Sequence, residues 1–359
     1  MRVGLIIYGK LDTISGGYLY DRQLVRYLQQ QGDEVQLISL PWTRYGRHLI
    51  HNFDPGLQQQ LRQSSFDLLL QDELNHPSLF WLNRQLKRHL FCPLVSIVHH
   101  LRSSENHPSL FLTLYRWIER QYLRTIDGFI FNSKTTRATV EALLIEQKPQ
   151  VIAYPAADHI RGEVNRALIV KRAHDPGPLR LVFVGNVTPR KGCHVLLKAL
   201  ADLPKGSWQL KIIGDMTVDP KYVRQMKYQA YSLGISTHIH WHGHLSDTDL
   251  TSLLTANHVL VVPSTYEGYG IVYLEGMSYG LPAIATTSGA AHEIITDGKD
   301  GFLVPPEDPI SLAKRIQTLN EDRPLLARQS LAALDRILAH PTWNESMARV
   351  HQFLTSMIR

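Results

Sequence analysis

The sequence predicts an α/β chain built as two doubly wound halves, and three observations carry that expectation. Apolar, β-branched runs of strand length alternate with segments of helical spacing, the pattern of parallel sheets joined by right-handed crossovers. The 359 residues exceed one ordinary domain and leave enough chain for two cores. A polar, basic stretch over 165–178, ending His174-Asp175-Pro176-Gly177-Pro178, separates two such alternations and reads as the linker.

The first half begins with an apolar strand over 3–8, too short and wrongly flanked for a signal peptide. Ser15-Gly16-Gly17 follows and opens a helix over 18–31, because Tyr20, Leu24, Tyr27 and Leu28 recur at helical spacing. Apolar runs predict further strands over 35–40, 68–71, 94–99 and 128–131. Beyond the linker come a strand over 179–184, a helix over 193–203, a strand over 209–213 and a helix over 221–233. A buried strand over 257–262 and a helix over 271–279 follow, and helices over 310–320, 324–340 and 343–357 close the chain.

Hydrophobic content of 44% and charged content of 19% describe a soluble globular protein. No apolar run reaches about 18 residues, so no spanning helix is expected. A net charge of +6 and a pI near 9.2 point to an anionic partner, for which a nucleotide sugar, an acidic lipid surface and a nucleic acid all qualify. No helix-turn-helix, zinc-finger or RNA-binding signature accompanies that charge, so nucleic acid is not expected. The segment 114–124 interleaves basic and aromatic residues on one helix. Either that helix lies on a membrane, or Leu114, Trp117 and Tyr122 face the core while the arginines are solvated. Cys92 and Cys193 stand alone, which argues against disulfides and cysteine metal sites and fits a reducing cytoplasm.

The stretch Pro263 to Thr286 reads PSTYEGYGIVYLEGMSYGLPAIAT. Pro263-Ser264 ends the preceding strand, Glu267 falls in a loop, and Gly268 and Gly270 let the backbone come close to a ligand. The free N–H groups of Gly270, Ile271 and Val272 at the helix start would then point at a phosphate, aided by the helix dipole. Glu275, one turn into the helix, is placed to accept hydrogen bonds from a ribose diol.

Glu267 and Glu275, followed by Gly280-Leu281-Pro282 and an apolar strand, resemble the Glu-x7-Glu signature of the retaining GT-B glycosyltransferases of family four, or group 1. The resemblance implies two Rossmann-like domains facing across a cleft, divided at 1–168 and 169–339, with 340–359 crossing back to the first domain as a helix. It implies that Gly16 and Gly17 contact donor phosphates or acceptor. In Gly185-Asn186-Val187-Thr188-Pro189-Arg190-Lys191-Gly192, two adjacent cations at a helix start oppose the helix dipole, and a donor diphosphate would compensate them. Lys191 matches the family's lysine, whereas Asn186 stands where the family carries an arginine; either Arg190 substitutes for it or the second cation is absent. By the same resemblance His99 lies beside the transferred sugar, Asn132-Ser133-Lys134 lines the cleft, and the glycine loop bearing His244 meets the nucleotide base.

Two metal-like patterns are set aside. His238, His240, His242 and His244 would share one face of a strand, but no carboxylate or cysteine pattern supports them as ligands. Asp247-Thr248-Asp249 mimics a manganese motif, yet Ser246 to Asp249 more simply caps the next helix. The reading is a retaining, metal-independent glycosyltransferase that uses no cofactor. It takes a UDP- or GDP-sugar as donor and an unidentified glycan, lipid or small molecule as acceptor. It works in the cytoplasm, with peripheral contact at the inner face of the membrane as a further expectation. Glu267, His99 and Lys191 are the catalytic candidates, and Glu275, Arg190, Gly270, Ile271, Val272, Gly16, Gly17 and His244 the donor-binding ones. The alternatives are a GT-B nucleotide-sugar epimerase, a nicotinamide-dependent oxidoreductase and a non-catalytic sugar-nucleotide-binding protein.

Overall fold

A computed structural model describes residues 1–88, 92–160, 162 and 164–358. The chain divides into two compact units, one of residues 1–155 with 341–359 and the other of residues 156–340. Each is built on a six-stranded sheet whose strand pairs are all parallel.

In the first unit the strands are β1 (Arg2–Tyr8), β2 (Glu34–Leu40), β3 (Leu68–Asp72), β4 (Leu94–Val98), β5 (Gly128–Phe131) and β6 (Gln150–Ile152), in the order β2-β1-β3-β4-β5-β6. Every residue of β3, β4 and β5 is buried, as expected of central strands with both faces covered. The helix Gly16–Gln30 starts at Ser15, whose hydroxyl accepts from the Tyr18 amide, and buries Tyr20, Leu24 and Leu28. The last helix, Trp343–Ile358, packs on this helix and on β6, burying Trp343, Met347, Val350 and Leu354. Strand β6 is only three residues long and carries no sequence pattern strong enough to announce it.

The second unit contains β7 (Leu179–Val184), β8 (Trp208–Ile213), β9 (Ile239–Gly243), β10 (Val259–Val261), β11 (Ala283–Thr286) and β12 (Gly301–Val304), in the order β12-β11-β10-β7-β8-β9. The strand ends are drawn tightly together. A Cβ on Gly214 would lie 2.0 Å from the Gly185 carbonyl oxygen, and the Gly214 amide donates to the Gly243 oxygen at 2.8 Å. The ends of β7, β8 and β9 therefore line up along one edge, which is where open parallel sheets bind ligands.

The stretch 165–178, expected as a linker, instead forms the helix Arg166–Ala173, capped by the Asn165 side chain and packed against the helix Arg323–Leu338. The boundary between the units falls at Pro155/Ala156. Buried Arg172 fixes the helix: its guanidinium donates to the carbonyls of Thr255, Tyr279 and Gly280 at 2.8, 2.9 and 2.8 Å. The positive charge that suggested a solvated linker is thus a structural tie between three peptide groups. Arg172→Ala should destabilise the protein by about 3 kcal/mol, because three buried carbonyls lose a charged donor. Urea midpoints measure this, and a loss under about 0.5 kcal/mol, the size of an ordinary surface substitution, would contradict it.

Candidate active site

The loop after β10 and the loop after β7 meet in the second unit. Gly192 takes a left-handed φ of +71°, and a Cβ there would lie 2.0 Å from the Pro263 carbonyl oxygen, so only glycine permits the approach. The Thr265 amide donates to the Arg190 carbonyl at 2.8 Å and ties the loops together. This close approach delivers Lys191 to Glu267. The Lys191 Nζ donates to Glu267 Oε2 at 2.8 Å, Ser264 Oγ donates to the same oxygen at 3.0 Å, and Arg190 Nη1 stands 3.5 Å away. Arg190 Nη1 also donates to the Tyr266 carbonyl at 3.0 Å.

The Glu267 and Lys191 side chains are only 13% and 12% exposed, so their charges stand largely outside water. Burial alone would raise the Glu267 carboxyl. The charges of Lys191 and Arg190, with hydrogen bonds from Lys191 and Ser264, overcome it and bring the group down to about 2. Burial lowers the Lys191 ammonium, and Arg190 adds to that, while Glu267 opposes both. Glu267 is therefore an ionised hydrogen-bond acceptor at neutral pH and is ill suited to act as a general base.

Further contacts hold Glu267 from behind. Its carbonyl accepts from the Ala290 amide at 2.9 Å, and a Cβ on Gly289 would lie 2.1 Å from that oxygen. Gly289 was not singled out in the sequence, although a glycine three residues past a strand end is a signal for close backbone approach. The helix Ile271–Ser278 starts at Gly270 with φ +102°, where a Cβ would lie 2.4 Å from the Tyr273 ring. Its first turn leaves the amides of Gly270, Ile271 and Val272 without intrahelical acceptors, with Ile271 and Val272 half-buried. Glu275 lies farther along this helix, with Oε1 3.3 Å from His159 Nε2. His159 comes from a loop more than a hundred residues earlier, and no spacing in the sequence links the two.

His244 is exposed at the end of β9, close enough to Asp215 to help lower that carboxyl after the dominant hydrogen bonds from Thr217. His240 and His242 are exposed on β9. Among the described residues, the converging groups of three or more metal-ligating side chains are Asp21-Asp72-His99 and Glu73-His76-Glu119, and neither includes this histidine row. Asp249 serves in a helix cap: its amide donates to Ser246 Oγ at 3.2 Å and its carboxylate accepts from that hydroxyl at 2.7 Å.

In the first unit, Gly17 packs on His99, since a Cβ there would lie 3.1 Å from His99 Cδ2, while Gly16 is exposed at the helix start. His99 Nε2 stands 3.3 Å from Asp21 Oδ1, and Asn132 Nδ2 donates to the His99 carbonyl at 2.7 Å. Ser133 caps the helix Lys134–Glu141. Three carboxyls missed in the sequence lie buried beside His99: Asp21 on the first helix, and Asp72 and Glu73 at the end of β3. Burial would lower the His99 imidazolium, but the hydrogen bond and charge of Asp21, with the charges of Asp72 and Glu73, raise it. Burial pushes the Asp72 carboxyl up to about 7 and the Glu73 carboxyl up to about 8. The signal available was an Asp-Glu pair at a strand end, where ionisable side chains in α/β folds meet ligands.

Glu73 holds its proton longer folded than unfolded, so the native state binds more protons between the ordinary value of 4.5 and about 8, and stability falls as pH rises through that window. Glu73→Gln should flatten this slope by up to about 1.4 kcal/mol per pH unit, the value for one proton. Urea midpoints at several pH values test this, and identical slopes in the two proteins would refute it.

The family described as "Glycosyl transferases group 1" matches residues 165–336, and "Glycosyltransferase Family 4" matches residues 16–159. The chain is 26% identical to an alpha-D-kanosaminyltransferase of Streptomyces kanamyceticus over 68% of its own length and 66% of that relative. Sucrose-phosphate synthase from Thermosynechococcus elongatus shares the fold with a TM-score of 0.83 at 19% identity, covering 99% of this chain and 98% of that one. HepE of Anabaena, solved in complex with UDP-glucose, does so with a TM-score of 0.77 at 19% identity, covering 99% and 100%.

Proposed function

The chain belongs to the group 1 glycosyltransferases of family four, with the GT-B fold, and from that premise we propose that it moves a sugar, with retention at the anomeric carbon, from a nucleotide-diphosphate sugar to an acceptor. The observation that carries this reading is the convergence of Glu267, Lys191 and Arg190 beside the opening turn of the Ile271–Ser278 helix.

Breaking the bond between the anomeric carbon and the diphosphate oxygen leaves the electron pair on the phosphate and positive character on the sugar ring. Donors already in place stabilise the phosphate charge without reorganising during the reaction. The amides of Gly270 and Ile271 and the Lys191 ammonium fill that role. Lys191 carries three N–H donors, so it can keep Glu267 and still meet a phosphate oxygen. Arg190 adds a second cation, and the proposed transfer uses no metal ion or other cofactor. Glu267, held ionised, accepts hydrogen bonds from sugar hydroxyls and orients the ring. Glu275 accepts from the ribose diol. In the first unit, Asp21 engages Nε2 of His99, which leaves Nδ1 for a sugar hydroxyl.

The proposed donor is a UDP- or GDP-sugar; the solved complex of HepE with UDP-glucose supports the former by shared fold. The acceptor is a glycan, a lipid or a small molecule. The proposed setting is the cytoplasm, with peripheral contact at the inner face of the membrane.

Screening UDP-, GDP- and ADP-sugars by thermal shift identifies the donor, after which transfer is assayed with it. Glu275→Ala should weaken donor binding roughly tenfold or more, whereas Glu267→Ala should mainly lower kcat, by about a hundredfold. Unchanged transfer in both variants contradicts the assignment, and an epimerised donor formed without any acceptor contradicts transfer itself.

A further inference from the structure

The helix Ser109–Leu123 of the first unit buries Tyr115, Ile118 and Tyr122 on one face, as a surface helix should. Its opposite face is apolar as well. Leu110, Leu114 and Trp117, spaced four and three residues apart, are 79%, 45% and 53% exposed. The fold therefore turns Leu114 and Trp117 outward, leaving Tyr122 alone of the three in the core.

Neighbouring elements extend this outward face. Ile50 and Phe53, in the turn Leu49–Phe53, are 67% and 64% exposed, and Asn52 between them accepts from the Trp81 amide at 2.9 Å. The helix His76–Leu79 packs on both that turn and the Ser109–Leu123 helix, and Phe80 meets Trp117 edge-on at 6.0 Å between ring centres. Trp117 lies on the helix itself, and Trp81, 40% exposed, follows Phe80 directly in the chain.

The charges around the face are mostly positive. Arg116, Arg120 and Arg124 recur at helical spacing along the helix and just past its end, and Arg84, Lys87 and Arg88 follow Trp81, with Lys87 paired to Asp127 at 2.6 Å. Across 42–53, 80–88 and 109–124 the single carboxylate is Glu119, which is fully buried. A second copy of the chain related by a two-fold axis would set this patch against itself and stack cation on cation. An anionic bilayer complements both features at once, since arginines meet lipid phosphates while tryptophan and leucine enter the interface. No helix among the described residues is long and apolar enough to cross a membrane.

We propose that the outward face of the Ser109–Leu123 helix, with Ile50, Phe53 and Trp81, docks on the surface of an anionic phospholipid bilayer. The inference rests on the proposed setting at the inner face of the membrane and assigns it a surface and a lipid chemistry.

The test is sedimentation of the full chain with phosphatidylglycerol/phosphatidylcholine vesicles and with phosphatidylcholine vesicles alone. Binding should be at least tenfold stronger to the anionic vesicles and should weaken between about 0.1 and 1 M salt as screening shortens. Leu114→Glu/Trp117→Glu and Arg116→Glu/Arg124→Glu should each lose roughly tenfold or more in vesicle affinity while keeping the wild-type thermal shift with the nucleotide sugar, which shows that they fold. Absent binding to anionic vesicles, equal binding by the variants, or a dimer that Leu114→Glu dissociates would overturn the proposal. Vesicle binding needs no donor, so a protein that docks but is stabilised by no nucleotide sugar would sink the enzymatic reading and leave the docking surface standing.

Discussion

The ion pair between Lys191 and Glu267 is the interaction on which the second unit's site depends. Two largely buried charges are tolerated only if each satisfies the other, and removing one partner leaves an uncompensated charge. Their meeting requires the loops after β7 and β10 to touch where any Cβ would collide, which Gly192 makes achievable, and Gly289 lets the loop after β11 back Glu267 as closely. The Tyr273 hydroxyl, donating to the Val262 carbonyl at 2.9 Å, and the Thr286 hydroxyl, donating to the Ser264 carbonyl at 2.6 Å, hold the same loop from the helix and from β11. Such multiple support lets a charged group keep one geometry while a ligand arrives.

The first unit solves the opposite electrostatic problem. There, three carboxyls lie buried beside His99, and His76 stands 3.0 Å from one of them, Glu73. Burial pushes the Asp72 and Glu73 carboxyls far above ordinary values, while the Asp21 hydrogen bond and the three carboxyl charges raise His99 against its own burial. The two units thus offer different tools: a fixed carboxylate held by cations, and a histidine whose charge is held by acids.

Much of this was legible in the sequence because it is local. Glu267, Gly270 and Glu275 share one strand-turn-helix segment, and the apolar runs of β1, β4 and β7 announce themselves. Contacts made across the fold carried no such signal: His159 reaches Glu275, and Asp21 reaches His99, through separations that no periodicity spans. The misread linker has the same cause. A short, basic helix shows little amphipathic pattern, and the partners of Arg172 are carbonyl groups, which composition cannot reveal. The basic-aromatic helix fits both a core and a membrane role in sequence, and burial of Tyr122 with exposure of Trp117 separates the two faces.

The central claim is that Lys191, held by Glu267, grips the donor diphosphate. Calorimetric titration of UDP and GDP into the wild type and Lys191→Met tests it most directly. The account predicts that the nucleotide bound by the wild type binds the variant at least about tenfold more weakly, the loss of one charged phosphate contact. Equal affinity in the two proteins, with the variant folded, would contradict it.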